Sequence, residues 1–363
     1  MIKLGIYKKT SGLLFDDGFE YESLHARYTL SPHHAGDLDH SLKQFVMNHT
    51  EEDNMLLFDI PESEHSLLFE VTADYVPTEH KDEGGIVVWK DGESRIEFLE
   101  SIDTAVREYS KWRALRTGNR WTFYADRGSG WELFDTDTLA ANKLGVVLKS
   151  KDSSGFVPLK LDRLVLCKSD KITVGNLSEG CTVYLCDEFG NSIASSTVER
   201  TWTGVDIQIP TAPYYGMIKV YDSNGTLLSS LSAFDIYGGD TFLFGTELQV
   251  HWQGKELNVT QDTYLGTMYD NMTVVQMELV NPSANKTAKN VKLGILQYLD
   301  KFGYEWVDLC HDDEDQPAMD FSPTLELPEV SPLGRIKFWM KVERKNEHFD
   351  IKPLNFILDI NHV

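Results

Sequence analysis

The side chains with most to offer chemically lie between Trp89 and Trp131. Trp89, Trp112, Trp121, Tyr124 and Trp131 fall close together, with Arg107, Arg113, Arg116 and Arg120 interleaved among them. Aromatic rings stack on the apolar C–H faces of sugars, and charged or amide groups beside them read the hydroxyls. The combination points to a glycan-binding surface. The expected ligand-binding residues are Trp112 and Tyr124 as partly exposed rings, with Arg113, Glu97 and Arg116 as polar readers. The competing reading puts most of these aromatics in a core.

Arg107, Lys111, Arg113, Arg116, Arg120 and Arg127 form the one basic stretch of an acidic chain. It reads either as a patch for an anionic polymer such as teichoic acid, or for an acidic neighbouring subunit, or as a solvated face balancing local acids.

Other chemistry finds less support. Glycoside hydrolysis needs two carboxylates about 5–9.5 Å apart. Glu97 and Glu100 are three apart, so a strand would point them to opposite faces. No catalytic set is legible, and the expectation is that the chain is not an enzyme. His311-Asp312-Asp313-Glu314-Asp315 is an acidic run without the shaped glycine bend of a calcium loop. His33, His34 and His40 lack metal-ligand spacing. No P-loop, G-x-S-x-G or dinucleotide fingerprint is present. Neither metal nor cofactor is expected. The four cysteines read as buried or half-buried thiols of a chain made in a reducing compartment.

Strands must position these residues. Leu67, Phe69, Val71, Ala73 and Tyr75 alternate along one predicted strand. Ile96–Glu100, Trp121–Ala125 and Leu161–Leu166 behave similarly, separated by turn signals such as Lys90-Asp91-Gly92 and Thr117-Gly118-Asn119. One short helix is expected within Asp37–Met47. Boundaries are expected near Cys167–Lys171 and at Tyr237–Asp240. The chain therefore divides into a β-sandwich over 1–168, a small immunoglobulin-like or prealbumin-like sandwich over 169–236, and a third β-sandwich over 237–363. Asp222-Ser223-Asn224-Gly225 offers a tight hairpin turn within the second.

The first of these carries a wider pattern. Gly84-Gly85-Ile86-Val87-Val88-Trp89 is followed by Arg95–Glu100, then by Trp112-Arg113-Ala114-Leu115-Arg116. The hairpin Trp121-x-x-Tyr124-Ala125-Asp126-Arg127-Gly128-Ser129-Gly130-Trp131 follows. This resembles the concanavalin A-like lectin/glucanase superfamily, close to laminin-G-type jelly rolls, although the hairpin departs from the W-x-x-Y-x-S-x-D-G-x-x-W form. The resemblance implies a jelly-roll sandwich with a sugar-binding concave sheet. It covers less than half the chain. The paired-glutamate strand E-x-D-x-x-E of the superfamily's hydrolases is absent.

Composition bounds the rest. The chain has 363 residues, 34 basic and 57 acidic side chains and a formal net charge of -23. That charge repels phosphate backbones and argues against nucleic-acid binding. Its apolar runs are too short for a membrane-spanning helix, and no signal peptide is apparent. Chained β-sandwiches with these features fit a bacteriophage virion component in the tail, baseplate or capsid surface. Its expected partners are other virion proteins, copies of itself and a cell-wall glycan. The alternatives are a bacterial carbohydrate-binding protein outside any virion, and a glycoside hydrolase with an unrecognised site.

Overall fold

The computed structural model describes residues 2–31, 36–61, 63–102, 110–126, 130–149, 157–177, 179–244, 248–257, 263–268, 271–283, 287–295, 305–345 and 354–362. The chain is all-β and divides into two compact units, one of residues 12–170 and one of residues 1–11 with 171–363.

The 12–170 unit is two sheets packed face to face. One runs in the order Trp131–Thr138, Arg120–Asp126, Ser110–Thr117, Ser66–Asp74, Leu159–Cys167, Gln44–Met47 and Gly36–Asp39, with Leu13–Asp17 also on Leu159–Cys167. The other runs Tyr28–Ser31, Asn54–Asp59, Lys143–Leu148, Gly84–Trp89 and Arg95–Glu100. The predicted alternation holds. Leu67, Phe69, Val71, Ala73 and Tyr75 all enter one core, where they meet Leu56, Phe58, Ile86, Val88, Leu144 and Val146 from the facing sheet. A period of two is what sends one side of each strand inward. At Gly85 an added Cβ would lie 2.0 Å from the Phe98 carbonyl oxygen, so the neighbouring strand's backbone occupies the space a side chain would need.

The helix expected within Asp37–Met47 is instead two antiparallel strands, Gly36–Asp39 and Gln44–Met47. Asp39 closes the turn between them by accepting from the Ser41 and Leu42 N–H groups, and Lys43 takes φ +54°. The left-handed Lys43 ends the turn there, and the pairing of the two strands takes the backbone groups a helix would have used.

The other unit departs from the expected division. The strand Ile2–Thr10 lies in an eight-stranded sheet between Thr241–Phe244, antiparallel, and Leu354–Asn361, parallel. That sheet also contains Lys171–Gly175 and Gly204–Gln208, joined through the parallel pairing of Lys171–Gly175 with Thr241–Phe244. Residues 1–11 therefore do not belong with 12–168, and segments 169–236 and 237–363 share hydrogen bonds across Tyr237–Asp240. Asp240 is fully buried, and the Lys9 ammonium reaches its carboxylate at 3.2 Å. Long-range strand pairing of this kind leaves no periodic mark in sequence.

A four-stranded sheet (Ser192–Thr197, Thr182–Cys186, Tyr214–Tyr221, Leu227–Ile236) and a six-stranded sheet complete this unit. The hairpin turn at Asp222–Gly225 is as expected, with Gly225 at φ +80°. The acidic run is not a loop. His311, Asp312 and Asp313 finish the strand Val307–Asp313, and Glu314 and Asp315 form its turn. Asp312 accepts from the Trp339 indole at 2.6 Å and from Gln276 at 2.9 Å, so it serves as a hydrogen-bond anchor. All four cysteines are free and buried.

Candidate functional site

The five residues expected to bind ligand do not form one surface. Trp112 points into the core of the 12–170 unit at 1% exposure, and its indole N–H donates to Glu100 at 2.9 Å. The expectation of a partly exposed ring at 112 is therefore corrected. The reason is strand parity. Trp112 lies opposite Val71, whose side chain faces the core, and cross-strand partners share a face.

Arg116 has the same parity. It pairs with Leu67 and Trp121, donates from Nε to the Gly118 carbonyl at 2.7 Å, and lies 5.6 Å from the Trp121 ring. Burial pulls its guanidinium below the usual arginine range. It braces the hairpin and reads nothing outside.

Glu97 lies on the other sheet. It sits on the outer face, between Arg95 Nε at 2.8 Å and the Lys149 ammonium at 3.0 Å. Asp53 bridges the same two cations at 2.8 and 2.7 Å. The four groups alternate in sign as a closed ring. Glu100 is buried on the core side, so these two glutamates do face oppositely.

Arg113 and Tyr124 are brought together. They pair directly across adjacent strands on the outer face, and Tyr124 in turn faces Leu133 on the edge strand Trp131–Thr138. Trp131, two residues before Leu133, lies over Arg113, with the guanidinium carbon 4.1 Å from its ring centroid. Arg113 is 4% exposed and donates from Nε to Glu70 at 2.9 Å. Its charge is spent inside the sheet, so its contribution to the surface is to hold the Trp131 ring.

The edge strand is open along almost its whole length, with Leu133 63% and Phe134 40% exposed. A register shift between Phe123 and Tyr124 turns Phe134 the other way, toward Phe98, at 5.9 Å between centroids. Exposed Glu132, Asp135, Thr136, Asp137 and Thr138 line the strand. These acids also discourage another strand from adding to the edge.

The site is thus an outer-face edge surface of Trp131, Tyr124 and Leu133, with Asp126, Thr136 and Thr138 beside them. Glu132, Asp135 and Asp137 pair with core-facing residues and point to the other face. Trp131 stood among the clustered aromatics in sequence, but its exposure depends on which strand ends the sheet. Among the described residues the expected basic patch is not assembled. Arg113 and Arg116 are buried, Arg120 is exposed, and Arg107 and Arg127 lie outside the described residues, as do His33 and His34.

No protein-family model matches the chain, and no curated protein sequence is similar to it. Among solved structures, it is similar to the GH43 protein BlXynB of Bacillus licheniformis. That match covers 42% of this chain and 39% of the other at 13% identity, with TM-score 0.37. A xylan beta-1,4-xylosidase from Bacillus halodurans matches over 42% and 38% at 10% identity, with TM-score 0.35. A botulinum neurotoxin type C structure matches over 97% of both chains at 7% identity, with TM-score 0.29. The chain spans about two fifths of the length of the two Bacillus proteins. The expectation that it is not an enzyme is corrected against these matches, since a xylosidase stands among them, and it is not carried further. The likeness transfers no residue role to this chain.

Proposed function

We propose that the 12–170 unit is a carbohydrate-binding sandwich of the concanavalin A-like kind, and that it holds sugar at the edge surface of Trp131 and Tyr124. The observation that carries this reading is the packing of Trp131 on Arg113. An indole at an exposed sheet edge is normally free to reorient. Here a guanidinium fixed by a buried carboxylate holds it, so its ordering cost is met before ligand arrives. The second face of such a ring suits the C–H face of a pyranose, and the Asp126 carboxylate, paired with Trp131 on that face, and the Thr136 and Thr138 hydroxyls suit sugar hydroxyls.

The reading is closest to a bacterial carbohydrate-binding protein. It applies equally whether or not the protein is carried on a virion. The test is retention of purified protein on insoluble polysaccharides and on bacterial cell walls, with sugar release followed in the same samples. Wild type is expected to be retained, and Trp131→Ala to lose about tenfold or more in affinity while keeping its unfolding temperature within a few degrees. Equal retention of the two proteins, or none by either, rejects the edge surface.

A further inference from the structure

The four-stranded sheet of the other unit carries a groove that no expectation from sequence anticipated. Val183, Leu185, Ile218 and Val220 are buried beneath the sheet. The alternate residues Thr182, Tyr184, Lys219 and Tyr221 line a groove of about 520 Å³ on its other face. Thr182 pairs with Tyr221 and Tyr184 with Lys219, so the four form a compact square across two strands. The groove follows the strand from Gly190 at one end to Gly180 and Asp222 at the other, roughly 14 Å at about 3.4 Å per residue. That is room for two pyranose rings.

Its lining is rich in unspent donors. The Lys219 ammonium donates to the Gly190 carbonyl at 3.1 Å and has no carboxylate within 4.0 Å among the described residues. An ammonium carries three donors. The Tyr184 and Tyr221 rings meet edge to face, 5.4 Å apart at 82°, and neither hydroxyl has a hydrogen-bond partner among the described residues. Gly190 has φ +87°, and a Cβ there would come within 2.8 Å of the Lys219 nitrogen, so glycine leaves the ammonium its place at the groove's end. At the far end Asp222 Oδ1 accepts the Asn224 and Thr226 N–H groups, which holds its carboxylate at the rim.

We propose that this groove binds an acidic sugar, a pyranose carrying a carboxylate. The carboxylate meets Lys219, the sugar ring lies against the tyrosine pair, and its hydroxyls meet the two phenols and Asp222. The argument is the cation. In a chain with net charge -23, an ammonium without an internal counter-charge inside a groove calls for an anion from outside. The phenols and the ring face that the edge-to-face tyrosine pair presents make that anion a sugar rather than a bare ion. The proposal stands on a different unit from the edge surface and does not depend on it.

The test titrates the full chain with digalacturonic acid and, as the neutral match, galactobiose, reading saturation-transfer NMR and calorimetry. Digalacturonic acid is expected to bind at least about tenfold more tightly than galactobiose, and Lys219→Met to remove that preference. Lys219→Met also loses the Gly190 contact, so Tyr221→Phe is measured beside it. That variant keeps the ring and deletes one hydroxyl, and is expected to weaken binding several-fold with unchanged unfolding. Trp131→Ala is expected to leave digalacturonic acid binding intact. Absence of binding, equal binding by Lys219→Met and wild type, or loss of binding in Trp131→Ala alone each overturns the proposal. None of these results bears on retention through the edge surface, which is read separately on polysaccharides.

Discussion

Arg113 and Glu70 face each other across two adjacent strands and close a buried ion pair, with Arg113 Nε donating to Glu70 Oε1 at 2.9 Å. Both side chains are under one tenth exposed. An arginine that in sequence looks like a ligand reader is therefore a strut. It joins two strands and supports the Trp131 ring on the face above.

Removing one member of such a pair leaves the other charged and desolvated. Arg113→Met is expected to destabilise the 12–170 unit by about 3–5 kcal/mol, read by urea denaturation. Combining it with Glu70→Leu should recover part of that loss, because no uncompensated charge remains. A double variant no more stable than the single one would show that the pair is not what the strands depend on.

Two tryptophans of the same cluster should behave oppositely. Trp112→Ala empties a core position and strips the Glu100 carboxylate of its indole donor, at a cost of about 3–5 kcal/mol. Trp131→Ala removes a half-exposed ring and one cation–π contact, worth about 1 kcal/mol. Calorimetric unfolding of the two variants checks this. Similar losses would mean that the edge ring is part of the core after all.

The first strand is expected to be indispensable to the unit it joins. Ile2–Thr10 pairs with three strands of an eight-stranded sheet, Thr241–Phe244, Thr263–Gly266 and Leu354–Asn361, so deleting residues 1–11 leaves each without that partner and the buried Asp240 without Lys9. Residues 12–170 expressed alone should unfold cooperatively, whereas 171–363 alone should aggregate. Adding residues 1–11 back through a flexible linker should restore solubility. A soluble, cooperatively folded 171–363 would contradict the pairing.

Two turn aspartates make the groove's hairpins sensitive to acid. The Asn191 side chain, with backbone N–H groups behind it, holds the Asp187 carboxyl below its ordinary 3.8. The Thr226 N–H does the same first for Asp222. A carboxylate whose folded value is depressed stabilises the fold fully above its ordinary value and loses that contribution as pH falls through the depressed value. The protection of the Asn191 and Thr226 amides, measured relative to the intrinsic exchange rate at each pH, should therefore fall only as pH drops below 3.8. Asp187→Asn and Asp222→Asn should abolish that pH dependence in their own turns.

Much of the architecture was legible before any coordinates. The alternation at Leu67–Tyr75 marked a core-facing strand, and Asp222–Gly225 marked a hairpin, because both signals are local. The opposite facing of Glu97 and Glu100 followed from parity alone. The helix expected near Asp37 failed because Lys43 turns left-handed and Gln44–Met47 pairs with strands on both sides, the second of them more than a hundred residues away in sequence. The site was less legible. Parity within one strand separates Trp112 from Arg113, but it does not say which of the two faces is the core.

By itself, then, the sequence determined the all-β character, most strand positions and the turns, since each depends on residues within a few positions of one another. Only the tertiary structure decided three further things. It buried Trp112 and Arg116 and left Trp131 on the last strand of its sheet. It spent Arg113 on Glu70, 43 residues away. It placed the first strand beside the last, and set Lys219 over a groove without a counter-charge among the described residues. Those outcomes are set by which strands become neighbours, and strand neighbours are chosen by the summed burial of whole faces rather than by any segment's own residues.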